Sequence, residues 1–230
     1  MQITHAFHAD YQKFRRLKRG DRLRCANKNG TCIWVVLSGV IAICASLADG
    51  RRQIIGFEFS GDFLCGSSSS NGQESRIEAL TECEICEISI PVDAEPILAN
   101  PTLVAAMFQQ VHQRLERSAT HVTALGRLDS MERICLFLLE MANRIGGQKG
   151  NVLKADLRMS REDIADYLGL NTETVSRVMS RVKRMGLAVF LSPTSYVIPD
   201  VSALERRIPV SVRLDPPRLA DQSENRRCPI

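Results

Sequence analysis

Residues 160–180 carry the pattern that most constrains the fold of this chain: two short helices joined by a tight turn. Ser160 is a favourable N-cap residue, and Asp163 stands three positions later, where a carboxylate can bond back to the cap. Gly169 supplies the left-handed residue that ends the first helix and turns the chain. Small and apolar residues at the remaining inward positions let the helices pack closely: Ile164, Ala165, Leu168, Val175 and Val178. The segment therefore predicts a helix-turn-helix.

The second helix of this motif keeps polar side chains on its outward face, at the end that enters the major groove in such motifs. Glu173 and Arg177 are four residues apart and share a face. Arginine can donate two hydrogen bonds to guanine, and glutamate can accept one from cytosine. The alternative is a solvated Glu–Arg pair on an ordinary surface helix. We predict a DNA interface formed by Thr172, Glu173, Ser176, Arg177 and Arg181, with Arg181 placed for a phosphate contact.

A short hairpin is predicted after the second helix. The apolar runs 187–191 and 196–198 flank a polar turn at 192–195. Two short strands around such a turn are typical of the wing of a winged helix, and the turn could contact the DNA backbone.

The first part of the chain, from about residue 17 to 91, has a different pattern. Short apolar runs at 33–37, 40–44 and 53–57 are separated by glycine-containing turn signals. Regular short strands with such turns predict an all-β roll or barrel, with a plain sandwich as the alternative.

At Pro101 the apolar period changes to alternating spacings of four and three. This spacing is that of a coiled-coil seam. The stripe consists of Val104, Phe108, Val111, Leu115, Val122 and Leu125. We predict that these residues form a dimerisation seam; the alternative is a helix that lies on its own core. A second amphipathic helix follows at 129–145 and ends at two glycines.

The amino-acid composition excludes few classes of protein. The 230 residues carry a net charge of only +4, which many proteins that do not bind nucleic acid share. No apolar run of about 18 residues and no signal peptide occur, so we expect no membrane span and a cytoplasmic protein. No nucleophile elbow, P-loop or zinc motif argues for an enzyme.

The whole plan resembles the Crp/Fnr family of bacterial transcription regulators, over about residues 17–200. The resemblance rests on the helix-turn-helix and on short motifs at 38–40, 50–51, 59–63 and 83–88. It implies an α+β fold: a β-roll like that of cyclic-nucleotide-binding jelly rolls (1–100), a dimerisation helix (101–128), a winged helix-turn-helix (129–200) and a tail (201–230).

The second helix reads Glu-Thr-Val-Ser-Arg at 173–177, which is similar to the E-x-x-S-R signature of the Fnr and FixK branches. The resemblance implies that Glu173, Ser176 and Arg177 read bases in a two-fold TTGAT-N4-ATCAA site. It also implies a homodimer that contacts RNA polymerase. The FixK-like subgroup fits best and implies no cofactor and control of microaerobic respiration or nitrogen-fixation genes.

Three alternatives to a FixK-like regulator remain open. A cyclic-nucleotide-responsive regulator would place a hydroxyl residue after its phosphate-binding arginine, but Ile77 follows Arg76 here, and Glu74 would repel phosphate. A redox- or oxygen-sensing regulator could use the C-x-x-C pair of Cys83 and Cys86, although no cysteine precedes Cys25 to complete an iron–sulfur set. A metabolite-gated module could also use its helix-turn-helix to bind protein.

Overall fold

The structure, a computed structural model, describes residues 12–24, 31–67, 76–90, 101–149 and 151–210. The chain forms two compact units. One consists of Met1–Arg127 and Arg158–Thr172, and the other of Leu128–Leu157 and Glu173–Ile230. Residues 158–172, part of the predicted 129–200 domain, thus pack within the first unit.

The described residues of the first unit form eight antiparallel strands. They are β1 (Gln12–Leu17), β2 (Arg22–Leu23), β3 (Thr31–Ser38), β4 (Ile41–Ser46), β5 (Arg52–Glu58), β6 (Phe63–Ser67), β7 (Arg76–Ala79) and β8 (Cys83–Ile90). One sheet has the order β1-β8-β3-β6 and the other β2-β7-β4-β5. The three apolar runs of the sequence coincide with β3, β4 and β5, and the predicted roll is confirmed.

The interior of the roll is filled by side chains from both sheets. Trp34 is buried at its centre, and its indole N–H donates to Glu87 Oε2 at 3.0 Å. A Cβ at position 66 would overlap the Trp34 ring, so only Gly66 lets β6 pass this close. The remaining buried members are Leu17, Leu23, Cys32, Val36, Ile41, Leu64, Ala79, Cys83 and Ile85.

A 27-residue helix, α1 (Pro101–Arg127), follows the roll and has the length that the sequence predicts. Met107 packs against the outer face of the β1-β8-β3-β6 sheet. Gln110 Nε2 donates to the carbonyl of Gly61 at 3.2 Å, and Arg114 Nε lies 2.9 Å from Glu58 Oε1. The face of α1 that contacts the roll is therefore largely polar.

The first unit ends with a short helix, α3 (Arg161–Leu168). The second unit contains α2 (Ser130–Ile145), α4 (Thr172–Arg184), α5 (Val201–Glu205) and a four-stranded sheet. That sheet consists of β9 (Gly147–Lys149), β10 (Val152–Asp156), β11 (Val189–Phe190) and β12 (Ser195–Ile198), in the order β11-β12-β10-β9. Residues 211–230, most of the predicted tail, lie outside the described residues.

The helix α2 forms the base of the second unit. Asp129 and Glu132 form a capping box at its N-terminus, and nine of its residues are buried. Tyr196 of β12 is fully buried, and its hydroxyl donates to the carbonyl of Leu138 at 2.5 Å. The sheet is thereby fixed on α2. Of the helices in the described segments, none is long and apolar enough to cross a membrane.

Candidate nucleic-acid interface

The first helix of the predicted motif, α3, begins and ends as its sequence indicates. The backbone N–H of Asp163 donates to Ser160 Oγ at 3.0 Å, and the N–H of Ser160 donates to Asp163 Oδ2 at 2.9 Å. The two residues thus form a reciprocal capping box. At the other end, Gly169 has φ 62°, in the left-handed region, and its N–H bonds to the carbonyl of Ala165.

Asp163 is 1% exposed, yet it carries charge. Burial alone would raise the pKa of its carboxyl group. Hydrogen bonds from Ser160 and Arg52, together with the charge of Arg19, outweigh burial and hold the pKa below its ordinary value. The carboxylate is therefore ionised at neutral pH and bonded on both oxygens.

The second helix of the motif, α4, has a sharply divided surface. Its apolar side is buried and consists of Val175, Val178, Met179 and Val182. The five residues predicted to contact DNA are all exposed: Thr172, Glu173, Ser176, Arg177 and Arg181. Because Glu173, Ser176 and Arg177 are three and four residues apart, they lie on one face within the first two turns. Lys183 and Arg184 add positive charge at the last turn.

The exposed Glu173 and Arg177 do not neutralise each other. Within the described part of the chain, neither side chain forms an ion pair, although their spacing allows one. An ion pair of this kind was the alternative to a base-reading role. Its absence among the described residues leaves both charged groups available to a partner at the N-terminal end of the helix.

The wing forms as predicted, with β11 paired to β12 through Val189–Val197 and Phe190–Tyr196. Ser192 holds the turn, since its hydroxyl accepts from the N–H groups of Thr194 at 3.2 Å and Ser195 at 2.9 Å. The turn is thus a defined polar tip rather than a loose loop, with Ser192 and Pro193 exposed.

The predicted dimerisation stripe lies on the outer side of α1. Four large apolar side chains are exposed there: Phe108 at 74%, Val111 at 53%, Leu115 at 67% and Val122 at 68%. Val104 and Leu125, at the two ends, are half-buried. A helix on a protein surface rarely exposes four large apolar side chains along one side to water without a partner. The seam stays a prediction, and the stripe is available for it.

The structure does not bring Cys83 and Cys86 together. They are three residues apart on β8, and side chains alternate along a strand, so they point to opposite faces. Cys83 belongs to the roll interior and Cys86 to the cluster beneath α1. Burial raises the pKa of the Cys86 thiol, which disfavours the reactive thiolate. A joint redox or metal role of this pair therefore has no geometric basis.

Arg76 and Ile77, the residues that bear on the cyclic-nucleotide alternative, point to opposite faces of β7. Ile77 packs into the interior of the roll, whereas its strand neighbour Arg76 points to the opposite face. Arg76 Nη1 lies 4.0 Å from Glu78 Oε2 on that outer face. Glu74 lies outside the described residues. In this arrangement Arg76 does not reach the interior of the roll, where the two sheets enclose Trp34.

Sequence reasoning missed the roll residues that bind α3. Arg52 and Arg19 contact Asp163, and Arg52 also contacts Asp166. Over 110 residues separate the partners, as in the 111 between Arg52 and Asp163, so no local pattern reveals the pairing. The only signal is that Asp163, needed as a cap, carries a charge that burial would leave uncompensated.

Two family models match the chain. A cyclic nucleotide-binding domain matches residues 14–91, and a Crp-like helix-turn-helix domain matches residues 132–207. The nitrogen fixation regulation protein FixK of Azorhizobium caulinodans is 36% identical over 175 residues, which cover 76% of this chain and 70% of that protein. FixK of Bradyrhizobium diazoefficiens is also 36% identical, over 68% of this chain and 65% of that protein.

Solved structures agree on the fold. FixK2 from Bradyrhizobium japonicum superposes with a TM-score of 0.71 at 24% identity, covering 87% of this chain and 99% of that one. A CooA mutant from Carboxydothermus hydrogenoformans gives 0.70 at 20% identity, covering 86% and 88%. At these identities the likeness concerns the fold alone.

A roll joined through a long helix to a winged helix-turn-helix defines a DNA-binding transcription regulator. The relatives narrow this class of protein to one family. The chain belongs to the Crp/Fnr family, in its FixK-like subgroup. The resemblance seen in the sequence is confirmed, as is the prediction that the protein is not an enzyme, because these relatives are transcription regulators.

Proposed function

We propose that two copies of this chain, joined along α1, bind a two-fold DNA site of the TTGAT-N4-ATCAA type through α4. Glu173, Ser176 and Arg177 read the bases, Thr172 supports them at the helix N-terminus, and Arg181 contacts phosphate. The observation that carries the proposal is the division of α4, with four apolar residues buried and all five predicted contact residues exposed.

Chemistry supports the assignment of base readers. A guanidinium presents two parallel donors that match O6 and N7 of guanine, and a carboxylate can accept from N4 of cytosine. Both groups stand in the N-terminal half of α4, the half that enters the major groove in this kind of motif. The polar tip of the wing, Ser192 to Thr194, is suited to the sugar-phosphate backbone.

The dimer is supported by the exposed stripe on α1. Phe108, Val111, Leu115 and Val122 follow spacings of three, four and seven residues, so they lie along one line of the helix. A second copy offers an identical stripe, and burying both removes apolar area from water on each side. Two-fold symmetry of the protein then matches the two-fold symmetry of the DNA site.

The relatives suggest the biological role. Proteins at 36% and 35% identity are named nitrogen fixation regulation proteins, and AadR of Rhodopseudomonas palustris, at 29%, is named a transcriptional activatory protein. By analogy, the present protein activates microaerobic respiration or nitrogen-fixation genes in the cytoplasm, through contact with RNA polymerase. The placement of Arg76 and Ile77 supports DNA binding that needs no cyclic nucleotide.

Equilibrium binding tests the proposal directly. A fluorescent duplex with TTGAT-N4-ATCAA and a scrambled duplex of equal composition are titrated with protein at physiological salt, with and without cyclic AMP. We expect at least about a thousandfold preference for the palindrome, in the range of specific regulators, and no change with the nucleotide.

The same experiment has clear negative outcomes. Equal affinity for both duplexes would refute base reading by α4. A preference that appears only with cyclic AMP would refute ligand-independent binding and would revive the cyclic-nucleotide alternative.

A further inference from the structure

The contact between the roll and α1 contains a buried carboxylate. Glu58, the last residue of β5, is 2% exposed. Arg114 Nε lies 2.9 Å from Oε1 of this carboxylate, and Arg117 Nη2 lies 3.9 Å from Oε2. Both arginine side chains are half-buried, so water screens these ion pairs less than it would on an open surface. We call Glu58, Arg114 and Arg117 the Glu58 cluster.

Further polar contacts lie on the same side of α1. Gln110 Nε2 donates to the carbonyl of Gly61 at 3.2 Å, and Arg114 donates to the carbonyl of Phe63. The guanidinium carbon of Arg114 also lies 6.0 Å from the centre of the Phe63 ring. Gln110, Arg114 and Arg117 are four and three residues apart, so they form one side of the helix. We call this side the roll face of α1.

The apolar stripe lies only part of a turn away from the roll face. Arg114 and Leu115 are neighbours in the chain, and successive residues of an α-helix are about 100° apart. The roll beside α1 offers apolar side chains to the stripe, because Met107 already packs against a cluster that contains Phe63 and Val35. A rotation of α1 by about 100° would turn the stripe towards the roll, and burial there would remove apolar area from water within one copy. The stripe would then be lost to a second copy.

The Glu58 cluster opposes this rotation. Turning the helix would withdraw Arg114 and Arg117 from Glu58 and leave a buried carboxylate without a positive partner, which is unfavourable. Compared with apolar residues of similar size, buried ion pairs add little stability, but in coiled coils a single buried polar group fixes the register. The cluster is therefore suited to fix the orientation of α1 rather than to stabilise the roll.

We infer that Glu58 is a positioning residue for dimerisation: its ion pairs with Arg114 and Arg117 hold the roll face of α1 against the roll, so that the apolar stripe stays available to a second copy. All of these residues belong to the first unit. This role rests on the proposed dimer, and it names the feature that selects a dimer seam over a helix that lies on its own core.

The first test compares Glu58→Gln with Glu84→Gln in the full chain. Glu84 lies on the same roll, with Arg16 Nε 2.9 Å from its Oε1, but both side chains are exposed and the pair joins β8 to β1. Sedimentation velocity over a range of protein concentrations measures the dimer dissociation constant. Circular dichroism during urea unfolding measures stability, at concentrations below that constant, so that dimerisation does not contribute.

For Glu58→Gln we expect the dimer dissociation constant to rise about tenfold, because α1 gains freedom that dimerisation must remove. The urea midpoint should fall as well, because the two arginines lose their negative partner. Glu84→Gln should change neither quantity, because an exposed ion pair contributes little. An unchanged dimer dissociation constant for Glu58→Gln would overturn the inference, and so would a lower one.

A second variant separates positioning from stability, and it also covers the case in which Glu58→Gln does not fold. Glu58→Leu, Arg114→Met and Arg117→Met are combined, so that no member of the cluster remains as an unpaired buried charge. We expect the urea midpoint to return to that of the unmodified protein or above it, as when apolar residues replace other buried ion pairs. The dimer dissociation constant should still be about tenfold higher, because apolar side chains let either side of α1 lie on the roll.

The triple variant has a clear contrary outcome. If it regains both stability and dimer affinity, the Glu58 cluster has a merely structural role and the inference fails. If the unmodified protein is monomeric at every concentration, the proposed dimer is at fault instead, and this result is recognised before any variant is compared.

Discussion

The helices α1 and α4 are both amphipathic, but α4 buries its apolar face, whereas α1 exposes an apolar stripe. The helix α4 buries Val175, Val178, Met179 and Val182 and exposes polar residues, as a surface helix of a globular protein does. The helix α1 turns Gln110 and Arg114 towards the roll and leaves Phe108 and Leu115 in water. The apolar face of α4 is covered, whereas the exposed apolar stripe of α1 is available to a partner.

The difference shows how the exposed face of a helix indicates the kind of partner. A charged face near a helix N-terminus suits the phosphates and base edges of DNA. An apolar face that its own fold leaves uncovered suits another apolar face, and a second copy of the chain supplies one. Substitutions on each of the two faces test these two assignments.

Leu115→Glu should abolish the dimer. Placing a carboxylate in the apolar seam costs several kcal/mol for each copy, so the dimer dissociation constant should rise more than about a hundredfold. Sedimentation or light scattering measures it. Glu116→Gln, one residue along on the same exposed turn, should leave the dimer intact. A Leu115→Glu protein that is still dimeric would remove the contrast between the two helices.

Arg177→Ala should have the next largest effect, on DNA alone. Removing a bidentate hydrogen-bond pair to guanine costs about 1–3 kcal/mol per half-site and relaxes the preference for guanine at that position. Titration of duplexes that differ at this base pair measures the change. Equal weakening on all sequences would assign Arg177 to phosphate rather than to a base.

Arg181→Ala should weaken binding more modestly and to the same degree on every sequence, because a phosphate contact carries no sequence information. The dependence of log K on log salt should become shallower by about one unit for each phosphate that the variant no longer neutralises. A series of titrations at increasing salt measures the slope. An unchanged slope would mean that Arg181 binds no phosphate.

The smallest expected effect is a dependence of stability on acid pH. The pKa of Asp163 is lowered in the folded protein, so its contribution is present above the unfolded value near 4 and disappears as pH falls below it. Urea unfolding at a series of pH values should show this decline, and Asp163→Asn should lack it. The α1 stripe itself contains no ionisable side chain.

Much of this organisation can be predicted from the sequence, because it is encoded locally. The cap at Ser160, the left-handed Gly169 and the spacings on α1 each need only a few neighbouring residues. The same holds for β3, β4 and β5, whose apolar runs lie between glycine turns. The strands β9 and β10 are not predicted, because they are only three and five residues long, too short for a clear alternation of apolar and polar residues.

Long-range pairings are beyond such reasoning. The polar inner face of α1 looks like a solvated face until Gly61, Phe63 and Glu58 are placed beside it. The ion pairs of Arg52 with Asp163 and Asp166 join residues more than a hundred positions apart. The Cys83–Cys86 pair is different, since alternation along a strand already separates the two thiols once β8 is recognised as a strand.

The buried indole of Trp34 also makes the molecule its own optical probe. It is the single tryptophan of the chain, lies in the interior of the roll and donates its N–H to Glu87. Its fluorescence therefore reports on the roll, whereas circular dichroism reports on the helices of both units, since α1 and α3 lie in the first unit and α2, α4 and α5 in the second. Following both signals during urea unfolding would show, without any added label, whether the roll loses its structure at the same urea concentration as the helices.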